Sequence, residues 1–149
     1  DLMNYCRIKP EILQIESHPN LTQEKLIRLA KSYGLEVTAF SPLGSISYEE
    51  LGGAKENESL LINPTIKLLS KDLEISPAQL ILGWALNRGT SIVVKSNDES
   101  RMKENLDASE IKLDQSTIDK ISALNINKRY NDPGIFCEDA FNTFFPIYD

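Results

Sequence analysis

The sequence predicts an α/β fold, a parallel sheet with helices outside it, and three observations predict it. Short apolar, β-branched runs stand at 11–17, 35–40 and 91–94; helix-period segments alternate with them; and the first strand, helix and strand have the spacing of a βαβ unit.

Residues 11–17, EILQIES, carry Ile12, Leu13 and Ile15, and Pro10 shuts off any helix before them. A helix of about three turns follows at 21–34, with Leu26, Ile27, Ala30 and Tyr33 on one face, Thr22 as N-cap and Gly34 as its stop. The strand LEVTAF, 35–40, ends at the loop signal SPLGS. After a polar stretch at 45–59, Asn63-Pro64 and Ser76-Pro77 each open a helix, a capping residue followed by proline at the first helical position. Gly89 closes the second of these, whose Leu80, Ile81, Trp84, Ala85 and Leu86 predict a core helix. The run SIVV at 91–94 predicts a buried strand, and Asp98 and Asp114 cap two further helices. From Asn125 onward the aromatic, Gly/Pro-punctuated chain predicts an ordered loop. The opening DLMNYCRIKP reads as the last turns of a helix, and three parallel strands leave two open edges, so the chain is expected to be part of a larger sheet.

With 149 residues, 41% of them hydrophobic, the chain is expected to form one domain. Sixteen Lys and Arg against twenty-two Asp and Glu, net charge −6, argue against nucleic acid or an anionic membrane as partner. Cys6 and Cys137 match no metal-binding spacing and are expected as free thiols. No run of 18 apolar residues and no charged-then-apolar leader is found, so a cytoplasmic protein is expected. The single histidine, His18, is without a nucleophile motif and is expected to be structural.

Parallel sheets bind ligands at the C-terminal ends of their strands, and helix N-termini there favour phosphate. Two such exits occur. FSPLGS, Phe40 to Ser45, offers two hydroxyls and a glycine. VVKSNDESR, Val93 to Arg101, offers an ammonium, a hydroxyl and a guanidinium in the first turn of a helix, a set suited to a phosphate group. The spacing leaves open a plainer reading, in which Lys95 is a surface residue and Arg101 pairs with Asp98. Gly52-Gly53 is not a dinucleotide fingerprint, since no GxGxxG follows a strand.

QIESHPNLTQEKLIRLAKSYGLEVTAFSPLGS and VVKSNDESRMKENL closely resemble the second half of the aldo-keto reductases, enzymes with a (β/α)8 barrel that reduce carbonyls with NADPH. The resemblance covers nearly the whole chain and implies the C-terminal half of the barrel, strands six to eight, with 125–149 as the loop over the substrate mouth. It implies that Gln14 bonds the nicotinamide carboxamide and that Phe40 takes the ring-stacking place usually held by tyrosine. Ser41, Leu43 and Ser45 would line the pyrophosphate, and Lys95, Ser96 and Arg101 would bind the 2′-phosphate, with Asn97 and Asp98 adding backbone contacts. Glu104 and Asn105 would face adenine. The sequence departs from the pattern at Val94, at Ser17, at Phe40 and at Ser47, where several members carry the aspartate that straps the cofactor down; Glu49 and Glu50 are nearby.

The family's proton-donating tyrosine and its aspartate, lysine and histidine partners come from strands one to four, and no motif here matches them. The resemblance therefore implies the cofactor-binding half of an oxidoreductase for a small carbonyl substrate, completed by an N-terminal half-barrel or by self-association. The alternatives are a non-catalytic NADPH-binding module and an inactive fragment.

Overall fold

The computed structural model describes residues 2–49 and 53–143. Glu50, Gly52, Phe144, Phe145 and the tail to Asp149 lie outside the described residues, as do the side chains of Ser47 and Phe136.

A helical turn, α1 (Leu2–Tyr5), stands where the opening residues predict the end of a helix. It leads through Pro10 into strand β1 (Ile12–Glu16), helix α2 (Glu24–Ser32) and strand β2 (Glu36–Phe40). Short 3₁₀ turns stand at Gly44–Tyr48, Glu56–Glu58 and Leu60–Ile62, and helices α3 (Pro64–Asp72) and α4 (Pro77–Asn87) follow before strand β3 (Ser91–Val93). Helices α5 (Glu99–Asp107), α6 (Gln115–Ser122) and α7 (Pro133–Phe141) complete the described chain.

The strands form one parallel sheet in the order β1-β2-β3, with Gln14 opposite Thr38 and Thr38 opposite Ser91. Alternation sends Leu13, Ile15 and Val37 toward α2, where they pack on Ile27 and Ala30. A larger cluster joins Leu60, Ile66, Leu69, Leu80, Ile81, Trp84, Ala85 and Ile121 beneath α3, α4 and α6. Trp84 is fully buried, donates from Nε1 to Ser122 Oγ at 3.0 Å, and has the Arg88 guanidinium 4.3 Å over its ring. The other face of the sheet carries Ile12, 61% exposed, and Val93, 53% exposed.

The expected caps form. Asn63 Oδ1 accepts from the amides of Thr65 and Ile66, Ser76 and Gln79 make a reciprocal capping box, and Asp98 and Asp114 accept from Arg101 N and Thr117 N. The chain leaves α4 through Gly89 at φ +74, a left-handed conformation that glycine adopts without strain.

Three elements differ from expectation. Thr22 does not cap α2: the residue before that helix is Gln23, at φ 53, while the Thr22 amide donates to Asn125 Oδ1 and its carbonyl accepts from Arg88 Nη2. Tertiary bonds have claimed both Thr22 backbone groups. Strand β3 is not buried on both sides, because Ile92 alone packs on the helices while Ser91 and Val93 face outward from the other side. The tail contains α7, opened by Asp132 accepting from Gly134 N and by Pro133, the same cap-and-proline grammar as α3 and α4. Its apolar residues are spread around the helix, which is why no periodicity announced it.

Candidate functional site

A cleft of about 890 Å³ opens at the C-terminal ends of β2 and β3, within the span of about 300–1,000 Å³ usual for small-molecule sites. Phe40, Ser41, Leu43, Lys95, Ser96, Asn97, Asp98, Arg101, Glu104 and Asn105 all line it, so two sequence segments more than fifty residues apart meet there. The start of α4, Ser76 to Ala78, supplies a further wall, together with Ile46 and Leu61. That wall was not legible in the sequence beyond its cap. Gln14 and Ser45 stand apart: Gln14 is exposed in mid-β1, outside the cleft lining, and Ser45 is fully buried, its hydroxyl donating to Glu49 Oε1 at 3.5 Å.

The β3 exit is shaped by short-range bonds. Ser96 Oγ accepts the Asp98 amide at 3.1 Å, and Asp98 Oδ1 accepts the Arg101 amide at 2.8 Å. The Asp98 carboxylate is thus spent on the first turn of α5 and not on the Arg101 guanidinium. Among the described residues, neither Arg101 nor Lys95 has a side-chain hydrogen bond or ion pair, so two cations and a helix N-terminus share one cleft in which neither the Asp98 nor the Glu104 carboxylate pairs with them. Gln79, the capping-box partner of Ser76, reaches from α4 to the Glu104 carbonyl at 3.4 Å and fixes α5 against α4.

The β2 exit turns tightly. Ser41 lies at φ 50 and Gly44 at φ 75, and the Gly44 amide donates to the Ser41 carbonyl at 2.9 Å. A Cβ on Gly44 would lie 3.0 Å from Leu60 Cδ1, so glycine lets this loop lie close against the core. The Ser41 hydroxyl shares a 2.8 Å hydrogen bond with the Tyr48 hydroxyl.

Beside the cleft lies a buried polar cluster of which the sequence singled out only His18, as a structural residue. Glu16, 1% exposed at the end of β1, accepts the Tyr130 amide at 2.8 Å and the Asn131 amide at 3.2 Å, and Arg129 Nη1 stands 3.5 Å from Oε2. His18 Nε2 lies 3.2 Å from Glu16 Oε1; since a carboxylate only accepts, the ring donates from Nε2, which leaves Nδ1 buried without a partner among the described residues. Burial, the largest influence on the Glu16 carboxyl, raises its pKa, but the His18 contact and the Tyr130 and Asn131 amides together outweigh it and hold the pKa below the ordinary value. Tyr130 then stacks on Tyr48, ring centroids 6.1 Å apart. Glu16 and Tyr130 are 114 residues apart, and only the aromatic content of the tail hinted at such docking.

Among the described residues no group of His, Cys, Asp and Glu could hold a metal ion, and no helix is long and apolar enough to cross a membrane. Both cysteines are free.

A parallel sheet with outer helices and a cleft at the strand ends after its last two strands defines part of a (β/α)8 barrel. The chain belongs to the aldo/keto reductase family, which matches residues 2–126. It is 44% identical over 135 residues to an Aspergillus fumigatus protein named "Probable NAD(P)H-dependent D-xylose reductase", covering 89% of this chain and 43% of that one. It is 41% identical over 134 residues to the 4-dihydromethyl-trisporate dehydrogenase of Mucor mucedo, covering 89% of this chain and 42% of that one. Among solved structures, the aldose reductase of Schistosoma japonicum superposes with a TM-score of 0.73 at 32% identity, over 86% of this chain and 38% of that one. An aldo-keto reductase from a Medee basin deep-sea metagenome library superposes with a TM-score of 0.75 at 25% identity, over 86% and 44%. The chain thus spans less than half the length of these relatives.

Proposed function

We propose that this chain is the cofactor-binding half of an NADPH-dependent reductase acting on a small carbonyl compound. The observation that carries this reading is the convergence of the Lys95 ammonium, the Arg101 guanidinium and the N-terminus of α5 on one cleft, with the neighbouring carboxylate already used as a helix cap. The donor set fits an anionic dinucleotide: cations and free N–H groups for phosphate, a glycine-tightened loop for close backbone approach, and an aromatic ring at Phe40. The names of the relatives, NAD(P)H-dependent among them, point the same way.

In this reading Lys95, Ser96 and Arg101 hold the 2′-phosphate, with Asn97 and Asp98 presenting backbone to it and Glu104 and Asn105 beside the adenine. Ser41 and Leu43 carry the pyrophosphate, with Ser45 buried behind them, Phe40 supports the nicotinamide ring and Gln14 orients its carboxamide. When bound, NADPH supplies the hydride. These residues do the binding and orienting, while the proton donor comes from a complementary half-barrel, and 125–149 border the substrate mouth. The protein works in the cytoplasm in this reading, with the second half contributed by a partner segment or by self-association.

Calorimetric titration of the chain with NADPH and with NADH tests the assignment. Tighter binding of NADPH by about tenfold or more is expected, as for a charge-assisted contact of about 1.5–3 kcal/mol. Equal affinity for the two, or none for either, would reject it.

A further inference from the structure

The turn of the loop that leaves β2 contains two left-handed residues, Ser41 and Gly44, and its one described bond to a charged side chain, from Ser45 Oγ to Glu49, is long at 3.5 Å. What fixes it is a contact from far along the chain. Ser41 is tied by its hydroxyl to Tyr48, Tyr48 stacks at 16° between ring planes on Tyr130, and Tyr130 is 4% exposed. Tyr130 is itself held on three sides: its amide donates to Glu16, its hydroxyl accepts from Asn20 Nδ2 at 3.3 Å, and Lys128 Nζ stands 5.5 Å from its ring centre. The strap 126–128 is pinned as well, since the amides of Ile126 and Lys128 both donate to the Asn20 carbonyl. The ring of Tyr130 also comes within 3.7 Å of a Cβ built on Gly44, so it backs the turn directly.

We infer that Tyr130 and Tyr48 are positioning residues for the Ser41–Tyr48 loop, so that docking of 126–131 onto β1 sets the pyrophosphate end of the cleft while leaving the 2′-phosphate end independent. The two ends have separate supports. Lys95, Ser96 and Arg101 are ordered by Asp98 and by the α4–α5 contact, and none of the Tyr130 contacts reaches them. The segment that borders the substrate mouth therefore also reports its own docking to the cofactor loop through a stacked ring pair and one hydroxyl bond. The ligand side of this inference rests on the proposed NADPH reading; the mechanical side does not.

Hydrogen exchange on the ligand-free chain and titration with two ligands test it together. Tyr130→Ala is expected to speed exchange at the Gly44 amide about tenfold or more while α5 amides keep their rates. Tyr130→Phe, which keeps the ring, is expected to stay near the parent chain. Tyr48→Phe, which removes only the hydroxyl, is expected to weaken NADP⁺ binding by about fivefold, the scale of one hydrogen bond. Affinity for adenosine 2′-monophosphate, which lacks the pyrophosphate and the nicotinamide, is expected to be unchanged by any of these tyrosine substitutions. Unchanged Gly44 exchange in Tyr130→Ala, equal acceleration in α5, or equal loss of both ligands would overturn the inference. If the parent chain bound neither ligand, the proposed function would fall and the exchange comparison would still decide this one.

Discussion

The Glu16 carboxylate accepts the Tyr130 amide at 2.8 Å, a bond between residues 114 apart that pins the C-terminal segment to the end of the first strand. Its energetics follow from burial. An ionised carboxyl with no exposed surface is retained only because His18, Arg129 and two backbone amides surround it.

The pH dependence of stability should show this carboxylate. Its folded pKa lies below its ordinary 4.5, so its contribution is complete above that value and is lost as pH falls through the lowered one. Among the described residues, His18, Arg129 and the Tyr130 phenol are the charged or titratable groups that interact with it. Urea unfolding of the parent chain and Glu16→Gln is expected to differ by about 1.5–3 kcal/mol at neutral pH, with the gap closing in acid. A gap that stays constant down to acid pH would contradict the assignment.

Arg101→Ala and Lys95→Met are each expected to weaken NADPH binding by about 1.5–3 kcal/mol, roughly tenfold or more, while leaving NADH binding nearly unchanged. Neither side chain has an internal partner among the described residues, so thermal stability should stay within about 0.5 kcal/mol of the parent. Parallel titration and melting separate the two effects.

Gly44→Ala should destabilise the chain by about 1–2 kcal/mol, because alanine is strained at φ 75 and its Cβ would press on Leu60 at 3.0 Å. The shift in urea midpoint measures it. An unchanged midpoint would mean that the turn adopts another conformation.

Trp84→Ala is expected to cost about 3–5 kcal/mol, and it also removes the indole donor to Ser122 Oγ and the ring beneath the Arg88 guanidinium. Against a total of about 5–15 kcal/mol for a domain of ordinary stability, a large unfolded fraction at 37 °C is the expected readout by circular dichroism.

Elements with a local code were legible in the sequence. Asn63, Ser76, Asp98 and Asp114 cap helices because the donor amides lie two or three residues away, and that spacing is visible in one dimension. The same grammar at Asp132-Pro133 went unused, since the apolar residues of α7 show no period to support it. Thr22 carried a local signal that lost to tertiary bonds from Asn125 and Arg88. For the cleft, the loop chemistry at Lys95 and Arg101 was readable, and its wall from α4 was not. Glu16 sits in an apolar strand with only His18 nearby to mark it, because its other partners, Arg129, Tyr130 and Asn131, arrive from the other end of the chain.

The order of pairing in the sheet bears on how the chain acquires its ligand site. Ile12 lies opposite Glu36, a separation closed by the single helix α2, whereas Thr38 must meet Ser91 across 53 residues. Closing the longer loop adds only about 0.6 kcal/mol of chain entropy per doubling. The larger asymmetry is burial: Val37 and Ala39 of β2 are fully enclosed, while Ser91 and Val93 of β3 are exposed. β1, α2 and β2 are therefore expected to consolidate as a unit, with β3 joining late and fraying first. Lys95 hangs from that strand. The half of the cleft that holds Lys95 is carried by the least protected part of the sheet, so an anion bound there would act as a clasp on the final strand, slowing its exchange more than that of any other.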